Sequence, residues 1–375
     1  MTSDAYDPET LAALQINLTP GLGPVLQTRL LNRFGSAAAV FNASGSELLS
    51  ISGISAKLSA ALTAGRHCES AIEELDKAQQ HGISVVTRNS QDYPRSLVEI
   101  CDPPPILYIK KELEPTDTMA VAIVGSRHCT HYGRTQAERL AAGLARAGVT
   151  VVSGLARGID AAAHRGALDA GGRTIAVCAP GLLTIYPPEH DKLADEIVSQ
   201  GALISESPLD RGPQRGLFPQ RNRIISGLSL GVVIVEAGRR SGALHTARHA
   251  MEQGREVFAV PGRIDSPASE GCHDLIRDGV TLIRDVQDIL ETLGPPVEPV
   301  QTADDRTVHV PRELNLTDQE QAILNLIDTA ATPIDQVLVQ ANMPHSRVLS
   351  TITVLEMKKL VRRLPGSFLE RTTGW

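Results

Sequence analysis

Between residues 68 and 292, short, continuous apolar runs alternate with stretches of helical period, and few architectures accommodate that pattern. The runs lie at 119–124, 149–152, 174–178, 202–205, 232–236 and 256–260, with two further strands expected at 83–87 and 106–109. Helical stretches at 69–81, 135–147, 159–170, 191–200 and 242–253 separate them. A strand that is apolar throughout, and not only at every second residue, is buried on both faces. Such strands alternating with helices predict a mostly parallel, doubly wound α/β sheet of Rossmann-like type, with helices on either side. Ligands of such sheets collect beyond the carboxyl ends of the strands. The loops at those ends are therefore where function is sought.

The flanks read differently. Residues 1–67 form short helical stretches broken by glycine, at Gly21-Leu22-Gly23 and Gly53-Ile54-Ser55. A hydrophobe-Gly-hydrophobe-Gly turn between two helices resembles a helix-hairpin-helix or SAM-like module, whose turn offers backbone N–H groups to a phosphate. The same glycines serve equally well as helix C-caps in a small bundle. The central unit is expected over 68–293 and a proline-rich linker over 294–311, with Asp304 and Asp305 in it. Residues 312–375 open on Thr317 and Glu320 at capping-box spacing and continue with helical stretches at 320–328, 334–341 and 346–359. A hairpin expected around Pro365-Gly366 completes a winged helix. Its Lys358, Lys359, Arg362, Arg363 and Arg371 suit either a phosphate backbone or a solvated helix end.

Four loops of the central unit combine glycine, serine and arginine. Gly125-Ser126-Arg127 ends the strand at 119–124, where a glycine lets a ligand approach the backbone and the arginine adds a charged fork. Ser153-Gly154-Leu155-Ala156-Arg157-Gly158-Ile159-Asp160 follows the next strand, with His164 one turn on. Asp160 reads as a helix cap and His164 as a structural histidine, although a base or ligand role stays open. The third stretch runs Phe218-Pro219-Gln220-Arg221-Asn222-Arg223-Ile224-Ile225-Ser226-Gly227, and with Arg211 and Arg215 it holds four arginines in thirteen residues without an acid. Arginine forks grip phosphates and an adjacent phenyl face can stack a base, but Arg221 and Arg223 can instead pair internally with Glu206 or Glu236. The fourth loop, Glu236-Ala237-Gly238-Arg239-Arg240-Ser241-Gly242, precedes a helix. Together the four predict a site for a phosphate-bearing ligand.

Several functions are disfavoured. The net charge of −7 confines any anion site to a local cleft. Cys68, Cys101, Cys129, Cys178 and Cys272 are too scattered for a disulfide framework or a zinc site. The polar, acidic start is unlike a signal peptide, and the longest apolar run, 228–237, is too short to cross a bilayer. A cytoplasmic, soluble protein is expected. Neither G-x-G-x-x-G, a P-loop nor H-E-x-x-H occurs, and the strand at 149–152 ends on Ser153-Gly154, with no acid for a ribose hydroxyl. No catalytic residue, metal or cofactor is assigned.

At these loops the chain resembles the DprA/Smf family. The matching residues are Ala122-Ile123-Val124-Gly125-Ser126-Arg127, Ser153 to Asp160, Ala163-His164, Phe218 to Gly227, Val235-Glu236-Ala237, Ser241-Gly242 and Phe258-Ala259-Val260-Pro261-Gly262. The resemblance spans about 80–285, and motifs of this length in this order are highly specific. It implies a cytoplasmic protein that binds and protects single-stranded DNA during natural transformation, loads the RecA recombinase onto it, dimerises through the central unit and is not an enzyme. Carried over by motif, the DNA pocket comprises Gly125, Ser126, Arg127, Ser153, Gly154, Arg157, Phe218, Arg221 and Arg223, to which the fourth loop adds Ser241 and Gly242. Cys178-Ala179-Pro180-Gly181 departs from a more glycine-rich turn. The alternative is an enzyme of the same fold class, the nucleoside-monophosphate phosphoribohydrolases. Those carry a catalytic Glu after a Pro-Gly-Gly-x-Gly-Thr loop, where this chain has Ser241 to Thr246 without a carboxylate.

Overall fold

The computed structural model describes residues 7–64, 69–294, 300–301, 307–308, 316–328, 331–341, 343–358, 360–364 and 366–371. Its centre is a nine-stranded sheet. The strands are β1 (Ile83–Thr87), β2 (Ile106–Lys110), β3 (Ala120–Val124), β4 (Thr150–Ser153), β5 (Thr174–Cys178), β6 (Ala202–Ser205), β7 (Gly231–Ile234), β8 (Glu256–Ala259) and β9 (Thr281–Leu282). They lie in the order β1-β2-β6-β5-β4-β3-β7-β8-β9. From β6 to β9 every neighbouring pair is parallel. β2 joins β6 antiparallel, and β1 joins β2 likewise.

Every residue of β3, β4, β5, β6 and β7 is buried, as unbroken apolar runs require. Alternate side chains serve opposite faces. Ala120, Ala122 and Val124 pack with Ile224, Ile225 and Leu228 and with Ala243, Ala247 and Ala250. On the other face Val121 and Ile123 pack with Leu140, Ala141 and Leu144 of the helix His131–Arg146 and with Ile159 and Ala163 of the helix Ile159–Asp169. Farther along that face, Ala176, Cys178 and Leu203 share one cluster with Leu14, Ile16 and Leu30. The N-terminal helices Pro8–Leu18 and Pro24–Phe34 thereby share a core with the sheet. Cys178 and Cys272 are buried, and burial pushes both thiols up to about 11.

One local expectation needs correction. Residues 218–227, read as an arginine-rich loop, belong to the helix Leu217–Gly227. Leu217, Arg221, Ile224, Ile225 and Leu228 recur at helical spacing, and all are buried. The charges drew attention away from that period.

In the C-terminal segment the helices Asp318–Leu324, Ile334–Gln340 and His345–Met357 precede the wing strands Val361–Leu364 and Phe368–Arg371, which pair antiparallel. The expected capping box forms. Thr317 N donates to Glu320 Oε2 at 2.7 Å, and Glu320 N donates to Thr317 Oγ1 at 3.3 Å. The basic residues are neutralised locally: Lys358 pairs with Glu320 at 2.7 Å, Arg362 with Glu370 at 2.6 Å and Arg363 with Glu356 at 3.2 Å. Lys359, Pro365 and Cys68 lie outside the described residues, as does much of the expected linker. Within that linker, Val300–Gln301 pairs antiparallel with Thr307–Val308. No helix of the described residues is long and apolar enough to cross a membrane.

Candidate nucleic-acid interface

The chain leaves β3 for β4 on one side, while β7 lies on β3's other side in register Val124↔Ile234. The loops after β3 and β7 therefore diverge over a crevice at the switch point of the sheet. Gly125 allows them to approach one another. A Cβ there would lie 2.6 Å from Ile159 Cγ1 and 2.9 Å from Glu236 O. The Ser126 N–H donates to that Glu236 carbonyl at 2.7 Å, and the buried Glu236 carboxylate accepts from Thr130 N at 2.8 Å and Thr130 Oγ1 at 2.6 Å. A buried acid thus clamps the Gly125-Ser126-Arg127 loop without an ion pair to any arginine of the described residues.

The crevice opens into a cleft of about 780 Å³. Gly125, Ser126, Arg127, Phe218, Arg221, Ser241 and Gly242 line it, as expected from their loops. The Arg127 guanidinium lies over the Phe218 ring, 4.9 Å from its centroid, and the Tyr186 ring stands 5.6 Å from Phe218 at an interplanar angle of 59°. Arg215, Arg240 and His245 also line the wall and are exposed. No ion pair among the described residues involves Arg127, Arg215 or Arg240. Among the described residues Asp160 is the one carboxylate in the lining, against four arginines.

Four of the expected residues stand outside that lining. Ser153 is fully buried and its hydroxyl donates inward to Ile123 O at 2.6 Å. Arg157 is exposed and engaged with Glu189. Arg223 is 6% exposed, with its fork on both oxygens of Glu206 at 2.9 and 2.6 Å and its Nε donating to Asp102 O at 2.9 Å. Gly154 lies beneath the cleft, and a Cβ there would sit 1.8 Å from Arg221 Nη1. Its lack of a side chain makes room for that guanidinium.

Arg221 is 4% exposed and donates from Nη1 to Val177 O at 2.6 Å. Burial lowers its pKa, with the nearby Asp160 acting in the opposite sense. Both arginines of the Gln-Arg-Asn-Arg run are thus buried and bonded to the protein, Arg223 through Glu206 as the sequence allows and Arg221 through a backbone carbonyl. Arg221 forms part of the cleft floor and Arg223 does not reach it. Asp160 is no cap of its own helix. It accepts from Gly154 N at 3.2 Å and Ala156 N at 3.3 Å, bracing the preceding loop, and burial raises its pKa. His164 is fully buried with Nδ1 on Thr174 Oγ1 at 2.8 Å, and burial pushes its pKa down to about 3. A neutral, enclosed imidazole has no path to a substrate in the cleft.

Tyr186, Arg215, Arg240 and His245 were missing from the expected set. Arg215 and Arg240 stand in stretches already singled out for charge, whereas Tyr186 lies in the connection after β5, in no recognised motif. The fourth loop turns into the helix Ala243–Glu252, with Ala243 N donating to Ser241 Oγ at 3.3 Å and Asn222 Nδ2 reaching Gly242 O at 3.4 Å. At the position where a phosphoribohydrolase would need its carboxylate, this wall presents Ser241, His245 and Thr246.

Known proteins share both parts of this arrangement. Residues 84–294 match the model of the family described as DNA recombination-mediator protein A, and residues 309–367 match that of the DprA winged helix domain. Protein Smf of Escherichia coli is 40% identical over 302 residues, covering 80% of this chain and 80% of that protein. The X-ray structure of DNA processing protein A from Streptococcus pneumoniae superposes with a TM-score of 0.67 at 35% identity, covering 76% of this chain and 97% of that one. The corresponding protein of Helicobacter pylori superposes with a TM-score of 0.51 at 32% identity, covering 56% of this chain and 95% of that one. That structure describes a single-stranded DNA binding mode.

Proposed function

The chain belongs to the DNA recombination-mediator protein A (DprA/Smf) family, and on that premise we propose that it binds single-stranded DNA in the cleft at the β3–β7 switch point. The observation that carries this reading is the stack of Arg127 on Phe218, with Tyr186 beside it and, around it, Arg215 and Arg240, which have no ion pair among the described residues. An aromatic face accepts any base, and unpaired guanidinium forks take phosphates, which together bind a single strand with little regard to sequence. The single-stranded DNA binding mode of the Helicobacter pylori relative supports the same assignment. By family membership the role extends to natural transformation in the cytoplasm, with the DNA protected and handed to the RecA recombinase by a homodimer formed through the central unit. The cleft acts by binding alone, so no catalytic residue and no cofactor is assigned.

Fluorescence-anisotropy titration of a short oligothymidine tests the reading. With Arg127, Arg215 and Arg240 each neutralising one phosphate, log affinity is expected to fall with log salt at a slope of about −2, or about −0.7 per phosphate. A slope near zero would remove the arginine-cleft mechanism. Deleting residues 312–375 is expected to leave most of the affinity intact, because Lys358, Arg362 and Arg363 are already held by acids of their own module. Complete loss in the truncated chain would move the principal site to the winged helix.

A further inference from the structure

A second cavity, of about 660 Å³, lies between the N-terminal turn at Gly21-Leu22-Gly23 and the far side of the helix Leu217–Gly227. Its volume falls in the range of about 300–1,000 Å³ usual for ligand sites. One short helix separates it from the cleft: Leu217 and Gln220 face this cavity, while Phe218, Arg221 and Asn222 face the other. The connecting segment carries Arg215 at the cleft and Arg211 at the cavity, both exposed. A strand leaving the stacked site past Arg215 meets Arg211 next.

The cavity's own chemistry suits a nucleotide. Three carboxylates touch it, and each is already engaged. Glu206 holds Arg223, Glu74 accepts from Leu209 N at 2.7 Å and Asp210 pairs with Lys77. No ion pair among the described residues involves Arg211, and its backbone is fixed on both sides, with Arg211 N on Pro208 O and Gly181 N on Arg211 O, each at 2.9 Å. The cation is thus anchored and unspent. Asn17 lines the same cavity; its Nδ2 donates to Glu206 O at 2.9 Å, which leaves Asn17 Oδ1 a buried acceptor without a partner among the described residues. Base edges supply N–H donors of the kind this oxygen lacks. The rim is built for close approach. Leu22 anchors the turn in the core, while Gly21, at φ +85°, and Gly23 face open space, where a Cβ would meet nothing within 4 Å.

We infer that this cavity is a second subsite for the same DNA strand, taking a base against Asn17 and the adjoining phosphate against Arg211. The inference rests on the cleft being the primary single-strand site. It gives the N-terminal helices a share in DNA binding that their lack of basic clusters conceals.

The test uses the full chain and oligothymidines of stepped length, with wild type, Arg127→Ala and Arg211→Glu. Arg127→Ala is expected to weaken binding at every length. Arg211→Glu is expected to match wild type on the shortest oligomers that bind and to fall about tenfold behind on longer ones. Its salt slope on the longer oligomers should also be shallower by about 0.7. The exposed Arg211 side chain has no ion-pair partner among the described residues, so thermal unfolding should match wild type and exclude a folding defect. Equal affinities of Arg211→Glu and wild type at all lengths would overturn the subsite, as would an equal loss at all lengths. Indifference to Arg127→Ala would instead overturn the primary site, so the two failures are distinguishable.

Discussion

Replacing Arg127 by alanine is expected to weaken oligothymidine binding thirty- to a hundredfold while leaving the fold unchanged. On the proposed reading the guanidinium serves two purposes in the cleft. As a fork it offers a phosphate charge-assisted hydrogen bonds, worth about 1.5–3 kcal/mol. As a flat cation over Phe218 it adds about 0.5–1 kcal/mol and holds the ring ready for a base. Since the two contributions are coupled, the combined loss is about 2–3 kcal/mol. Arg127→Lys keeps the charge without the planar fork and should recover only part of the affinity. Because Arg127 is exposed and in no ion pair among the described residues, its removal should cost the fold little beyond the Phe218 contact, at most about 1 kcal/mol. Anisotropy and thermal melts on the same preparations check both parts. Wild-type affinity in Arg127→Ala would mean that the cleft holds something other than DNA.

The architecture was legible because burial on both faces of a parallel sheet writes unbroken apolar runs into the sequence. Expected and observed limits coincide at Ile83–Thr87, Thr174–Cys178 and Ala202–Ser205, where a turn or helix stops the run abruptly. The short edge strand Thr281–Leu282 is exposed, so no such run announced it. The site was legible where a residue's type and its loop suffice. Gly125, Arg127, Ser241 and Gly242 stand at strand ends, and topology alone brings those ends together. What could not be read was the depth at which each arginine sits. Arg221 finds its acceptor at Val177, and Arg223 finds Glu206 and Asp102. Those partners come from other strands and loops and carry no local signature. Gly154 repeats the point: its role is set by Arg221, which only the folded chain places beside it. An arginine-rich motif records charge, while the division of that charge between core and cleft is a tertiary fact.

That division makes Glu206 a consequential carboxylate to remove. Its side chain is 14% exposed and that of Arg223 is 7%, and the two meet through a bidentate fork. In Glu206→Ala the guanidinium stays buried without its counter-charge, which costs about 3–5 kcal/mol. Against a typical total stability of about 5–15 kcal/mol, this is a large fraction. A loss of that size should lower the melting temperature of a unit this large by about 10 °C. The double change Glu206→Ala/Arg223→Met removes the stranded charge as well and should lose less than the single change, a coupling that a double-mutant cycle measures directly. Asp102 O and Gln220 O would still forfeit their donor, so the rescue is expected to be partial. The opposite assignment of Arg223, as a DNA ligand held in reserve by Glu206, predicts a different pattern. Glu206→Ala would then release the cation toward the strand, raising DNA affinity at little cost in stability. A lower melting temperature with unimproved affinity places Arg223 in the scaffold and leaves binding to Arg127, Arg215 and Arg240.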